Sequence, residues 1–254
     1  ISRVDVSSGQ ADTGGGTCSV TVSSSAQVGD LLLFVGVNNV STADWDAPSG
    51  PGTLVELYEV TKNNCRAAGW WKVCEAGDIG ATYTFTASAS AKRIVACRVY
   101  RGVDTGAAPI FETAVAAGTD TVHTTAELTT PAADYWLVAA FAHRDASNNN
   151  SWSIADMAGA MQDLVNSGSS QASLGVEDSD GPVAAGGYTR TGTCTVSDDD
   201  VVMVLFGLKP AAGGGSLDGD GTLAASAPHA TAAGDMTIAG TVTASAAAPS
   251  TDGE

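Results

Sequence analysis

The sequence predicts an all-β protein: an internally duplicated antiparallel β-sandwich, jelly-roll-like, with a Gly/Ala-rich C-terminal extension. Three observations lead there. β-Branched and aromatic residues recur at period two in short segments cut by Gly, Asn, Asp and Ser, which is the pattern of strands and tight turns. Several segments, Leu31-Leu32-Leu33-Phe34-Val35 and Val201-Val202-Met203-Val204-Leu205-Phe206 among them, are apolar without a break, so both faces of those strands need cover, as in the middle of a sandwich. Finally, Thr82-Tyr83-Thr84-Phe85-Thr86 returns 107 positions later as Thr189-Arg190-Thr191-Gly192-Thr193, and the same offset carries Trp45 onto Trp152 and Ile94-Val95 onto Val201-Val202. A fixed long-period offset between strand-like segments marks a repeated β unit.

Strands are expected near 17–24, 30–38, 53–60, 65–73, 81–87, 93–101, 110–115, 122–129, 135–143, 160–166, 171–178, 187–196 and 200–208. The segment Ala155 to Val165 also reads as a short helix, because Ile154, Met157, Ala158, Met161 and Leu164-Val165 fall at helical spacing. Under the duplication, Asp30-Leu31-Leu32-Leu33-Phe34-Val35 pairs with Asp134-Tyr135-Trp136-Leu137-Val138-Ala139 at an offset of 104, and the loop containing Asn148-Asn149-Asn150 absorbs the difference. Cys65 to Val73 then corresponds roughly to Gln171 to Ser179, and Arg93 to Arg101 to Asp200 to Leu208.

Residues 1–210 are expected to form one compact unit with halves of about 1–105 and 106–210, since Thr105 to Thr130 contains no low-complexity linker. Residues 211–216, Ala-Ala-Gly-Gly-Gly-Ser, read as a flexible linker. Residues 217–254 form a low-complexity C-terminal arm without Lys, Arg or aromatics, in which Gly221-Thr222-Leu223-Ala224-Ala225-Ser226-Ala227 recurs 19 positions on as Gly240-Thr241-Val242-Thr243-Ala244-Ser245-Ala246. Too poor in large apolar groups to build a core, the arm is expected to order by adding strands to a neighbouring chain or to the main unit.

Charge narrows the partners. With 28 acidic and 11 basic residues the chain carries a net charge of −17, which disfavours nucleic acid and anionic membrane surfaces. No run approaches the roughly 20 apolar residues of a spanning helix, and the first thirty residues lack a basic start followed by an apolar stretch. Five cysteines, Cys18, Cys65, Cys74, Cys97 and Cys194, form no Cys-x-x-Cys pair, so a zinc site is not expected. They read either as buried small apolar thiols or as partners in one or two cross-strand disulfides, and Cys65 and Cys74 lie too far apart along a strand to bond each other.

Catalytic groupings are weak. His143 with Asp145, or His123 with Glu127, beside Ser151 or Ser153 would need a Gly-x-Ser-x-Gly turn that is absent, and loop histidines are the simpler reading. Glu56 with Glu59, and Glu177 with Asp178, are expected on solvated strand faces rather than as a glycosidase pair. Asp178, Asp180 and Asp198-Asp199-Asp200 offer hard oxygens for Ca²⁺ but match no calcium-loop spacing. No catalytic, cofactor or metal residue is therefore assigned. Trp70-Trp71 remains, because adjacent strand residues face opposite sides and one of the two would be free for an interface or a sugar ring.

The series Gly29-Asp30-Leu31-Leu32-Leu33, Trp45-Asp46-Ala47-Pro48-Ser49-Gly50, Gly69-Trp70-Trp71-Lys72-Val73, Tyr83-Thr84-Phe85-Thr86, Tyr100-Arg101-Gly102-Val103-Asp104 and Leu205-Phe206-Gly207-Leu208-Lys209-Pro210 resembles a β-sandwich domain common in virion proteins of tailed bacteriophages and prophages. The resemblance spans about residues 18–210, and the arm is similar to short repeats appended to such proteins. It implies a non-enzymatic component of the virion surface, such as a capsid decoration protein, head fibre or minor tail protein, whose partners are capsid or tail subunits and copies of itself. A carbohydrate-binding or host-adhesion module, meeting a host-surface glycan through Trp70 or Trp71, is the second expectation.

Overall fold

The computed structural model describes residues 1–12, 17–116, 120–145, 150–167, 170–196 and 200–212. Among them the chain runs as antiparallel strands with one 3-10 turn, Ala76–Asp78, and no α-helix. The first half supplies β1 (Ser2–Ala11), β2 (Cys18–Thr21), β3 (Leu31–Asn38), β4 (Val55–Lys62), β5 (Cys65–Val73), β6 (Thr82–Phe85) and β7 (Arg93–Arg101). The second supplies β8 (Ile110–Ala116), β9 (Val122–Thr124), β10 (Leu128–Thr130), β11 (Trp136–Asp145), β12 (Trp152–Ile154), β13 (Gln162–Val165), β14 (Gln171–Asp178), β15 (Gly186–Tyr188), β16 (Thr191–Cys194) and β17 (Val201–Leu208).

Two five-stranded sheets dominate, in the orders β1-β7-β3-β5-β4 and β8-β17-β11-β14-β13. Smaller sheets, β2-β6 on one side and β9-β16-β12 with β10-β15 on the other, complete the fold. Strand parity explains the unbroken apolar runs. Leu31, Leu33, Val35 and Val37 of β3 share a central core with Val138, Ala140 and Ala142 of β11 and with Val202, Val204 and Phe206 of β17. The alternate residues Leu32, Phe34, Val95 and Cys97 pack instead with Val20, Trp45, Tyr83 and Phe85 in one outer core. Leu137, Phe141, Met203 and Leu205 pack with Trp152, Ile154 and Cys194 in another. Each half thus encloses an outer core of its own, and the two share the central one. At about 1.5–3 kcal/mol for each large apolar side chain buried, neither face of these strands tolerates a polar residue cheaply.

The two halves match beyond strand order. In β3, Leu33 lies between Arg98 and Trp71 of its neighbours, and in β11 Val138 lies between Phe206 and Asp178. Trp45 forms a bridge with Ala87, and Trp152 pairs with Cys194. A strand carboxylate accepts the backbone N–H of each tryptophan, Glu59 Oε1 at 3.0 Å from Trp45 and Asp163 Oδ1 at 3.1 Å from Trp152. Hydroxyl pairs recur on the outer strands, Ser19 with Thr84 at 3.3 Å and Thr124 with Thr191 at 3.1 Å.

Register corrects three expected pairings. Trp71 lies opposite Leu33 as Asp178 lies opposite Val138, so the match of β5 to β14 runs one residue beyond the expected alignment of Cys65 with Gln171. Ile94 faces the central core while Val201 faces the outer one, so the structural counterpart of Ile94 is Val202, one position beyond the constant offset. Leu31 likewise corresponds to Trp136 rather than Tyr135. A one-residue slip turns every side chain of a strand to the other face, so burial decides where sequence similarity alone does not. Strand boundaries differ as well. β1 and β12 lie outside the expected strands; the stretch 122–129 divides into β9 and β10, and 187–196 into β15 and β16. Between Ala155 and Val165 the chain forms a turn, with Asp156 at φ 59, and then β13, which settles that segment as strand rather than helix. All five cysteines are buried and none is joined to another in a disulfide, so the buried-thiol reading holds over the disulfide alternative.

Residues 1–214 cluster as one compact unit. The linker from residue 213 onward and the arm 217–254 with its 19-residue quasi-repeat lie outside the described residues.

Candidate functional site

Burial disperses the groupings that sequence spacing suggested. Trp70 is 1% exposed and packs edge-on against Trp45 and at a tilt against Phe85, with ring centroids 5.4 and 5.2 Å away. Its ring is core, which corrects its reading as a contact residue. Trp71, on the opposite face, is partly buried against the central core. Gly36 makes room for the first tryptophan pair, since a Cβ there would meet the Trp45 and Trp70 rings at 3.2 Å.

His143 is fully buried in β11, edge-on to Trp152, and Asn150 Nδ2 lies 2.9 Å from its Nδ1. Asn150 Nδ2 and Trp152 Nε1 also donate to Ser173 Oγ, at 2.8 and 3.2 Å, so this small polar network seats the Trp152 ring. Ser151 and Ser153 are exposed. The side chain of Asp145 lies outside the described residues, as do Asp198 and Asp199. His123 is buried beside Trp152, and burial pushes its imidazole below the ordinary His value against the opposing pull of Asp120. Glu127, its suggested partner, is exposed. Glu59 is taken up by Arg66, 2.7 Å from its Nε, and by Trp45 N.

One polar cluster does converge, between the two halves. Asp178 accepts from Arg98 Nη1 at 2.8 Å, Arg3 Nη1 at 2.6 Å, Tyr100 Oη at 3.1 Å and Asp180 N at 3.1 Å. Arg98 also donates to the carbonyls of Ala160 and Val176. Every oxygen that a cation would need at Asp178 is already engaged, and no group of three metal-ligating side chains occurs among the described residues. Chemically the cluster is a buried ion pair locking β7 to β14. Arg3 and Arg98 were not singled out from sequence, and isolated arginines on strands give no spacing signal that would do so.

An open groove lies between β8 and β10. About 490 Å³ in volume, it is lined by Pro109, Ile110, Phe111, Glu112, Glu127, Leu128, Thr129 and Pro131. Its floor is apolar, and two exposed carboxylates stand among its walls. Glu127 lies over Gly187, where a Cβ would come within 2.7 Å of its carboxyl carbon. The fifteen-residue separation of Glu112 and Glu127 carries no periodicity, so only the folding of β8 against β10 reveals them as neighbours.

Comparison with protein-family models, with curated proteins and with solved structures returned no match.

Proposed function

We propose that this chain is a non-enzymatic structural protein of a bacteriophage virion surface, of the capsid-decoration, head-fibre or minor-tail type. It acts through contacts with capsid or tail subunits and with copies of itself. The observation carrying this reading is the use made of the polar chemistry: the most deeply buried carboxylate, Asp178, spends its hydrogen-bonding capacity joining two sheets rather than facing a cleft. A rigid, layered, strongly acidic block suits a particle component that must stay soluble and keep its shape.

In this reading the halves are duplicated copies of one jelly-roll-like unit. The matching strand orders, the paired Trp–carboxylate contacts and the paired hydroxyls support it. The arm 217–254 adds strands to a neighbouring subunit. The second reading, adhesion to a host-surface glycan, now rests on Trp71 alone, since Trp70 is core.

Electron cryo-microscopy of purified particles that encode this chain tests the proposal: density for the double sandwich on head or tail is expected. Its absence from particles, or turnover of a polysaccharide by the purified chain, overturns it. Glycan-array binding lost on Trp71→Ala in a folded protein would favour the adhesion reading.

A further inference from the structure

We propose that the groove between β8 and β10 docks an extended, basic segment of another protein chain, which adds as a strand to the β8 edge left unpaired among the described residues.

The inference comes from comparing one edge of the fold with its counterpart. β1 and β8 each end their five-stranded sheet beside β7 and β17. Ser7 pairs with Cys97 and Glu112 with Leu205; Gly9 pairs with Val95 and Ala114 with Met203. Ser7 therefore corresponds to Glu112, and Gly9 to Ala114. In the first half the β1 edge is closed. Ser7 Oγ donates to Thr21 O at 2.7 Å, Gln162 Nε2 donates to Ser7 O at 3.0 Å, and Gly9 lies so near Ser19 that a Cβ would stand 2.0 Å from its carbonyl oxygen.

The second half carries the opposite residue at both positions. Ala114 brings the Cβ that the closed arrangement excludes. Glu112 replaces the donor hydroxyl with an acceptor-only carboxylate, and Glu127 adds a second carboxylate to the groove lining. Two like charges lining one groove oppose its closure. What they hold open is an apolar side of Ile110 and Leu128 alongside an edge strand, whose Phe111 packs on the opposite face against Tyr58 and Phe206.

An exposed edge is a ready template for an added strand, and side chains alternating along that strand enter the adjoining pockets. Glu112 and Glu127 call for Lys or Arg at the alternate positions that face them, and neither carboxylate is ion-paired among the described residues. This chain's own arm is a poor occupant on charge, with Asp218, Asp220, Asp235, Asp252 and Glu254 and no Lys or Arg. Charge therefore selects a basic strand of another chain over this arm. The inference deepens the reading of the chain as a subunit-contact protein, but its test uses the isolated full-length chain and is indifferent to where that chain resides.

The probes are the peptide acetyl-Lys-Val-Thr-Val-Lys-Val-Thr-amide, its counterpart with Glu for Lys, and a peptide of residues 217–246. Each is titrated calorimetrically into the full-length protein, with hydrogen exchange followed over 110–116. The Lys peptide is expected to bind, to protect 110–116, and to weaken as salt rises. Glu112→Gln with Glu127→Gln, both exposed and so harmless to folding, is expected to weaken it roughly tenfold. Failure of the Lys peptide to bind at millimolar concentration overturns the proposal. Equal binding of the Glu peptide, indifference to the double substitution, or preference for the 217–246 peptide overturns it too.

Discussion

Arg98 Nη1 meets Asp178 Oδ2 at 2.8 Å in the central core, with both side chains at most 1% exposed, and so a residue of the first half is held by a residue of the second. Removing one partner of such a pair leaves a buried charge without compensation, which costs about 3–5 kcal/mol. Asp178→Ala should destabilise by that amount in urea denaturation, and Arg98→Met with Asp178→Leu should recover much of it. A double substitution as damaging as the single one would show that the cluster matters for more than charge pairing.

Trp70→Ala removes a large ring from an outer core and should cost about 3–5 kcal/mol. Trp71→Ala, at a half-buried position, should cost clearly less. Comparing the two midpoints of chemical denaturation checks the order, which would be reversed if Trp70 were a surface contact residue.

Gly9→Ala tests the closed edge. The added Cβ would stand 2.0 Å from a backbone oxygen of Ser19, an atom that cannot swing aside as a side-chain tip can. A loss of about 1–3 kcal/mol is expected, together with faster hydrogen exchange over β1 and β2. At the counterpart position, Ala114→Gly should leave exchange in the first half unchanged.

Acid should act in two steps. Burial holds His123 below the ordinary His value, so its contribution to stability is full above the unfolded pKa of about 6.5 and is lost as pH falls below it. Burial alone would raise Asp78, but Tyr83 Oη at 2.6 Å, Glu75 N at 2.7 Å and Lys72 Nζ at 3.0 Å together keep it below the ordinary Asp value. Its contribution is present above about pH 3.9 and disappears as pH falls through the lower folded value. Urea midpoints across pH should show both steps; His123→Gln should flatten the first and Asp78→Asn the second.

The all-β class and the major strands were legible because burial on both faces writes itself as unbroken apolar runs, as in Leu31–Val35 and Val201–Phe206. β5 was legible to its ends, Cys65 and Val73. β1 was not: Ser7, Ser8, Gly9 and Gln10 carry weak β-propensity, and pairing with β7 is what makes them a strand. The tripeptide β12 is too short for periodicity and is held by Trp152 in its core. Among the candidate site residues, the opposite faces of Trp70 and Trp71 are legible from their adjacency, but that β2 and β6 close the Trp70 face and the central core partly covers Trp71 depends on packing the sequence does not write. The groove was invisible in the sequence, since Glu112 and Glu127 become neighbours only through sheet packing.

The ion pair between the halves has no mirror image. Leu33 is flanked by Arg98 and Trp71, and Val138 by Phe206 and Asp178, so the places matching Arg98 and Asp178 are taken by Phe206 and Trp71. Two first halves assembled alike would set Arg98 against Trp71, and two second halves would set Asp178 against Phe206. Either homotypic pairing strands a charge in an apolar core, and only the mixed pairing neutralises it. The molecule therefore encodes mate choice within a single polypeptide, and fragments cut between β7 and β8 should recombine as unlike partners rather than as like ones.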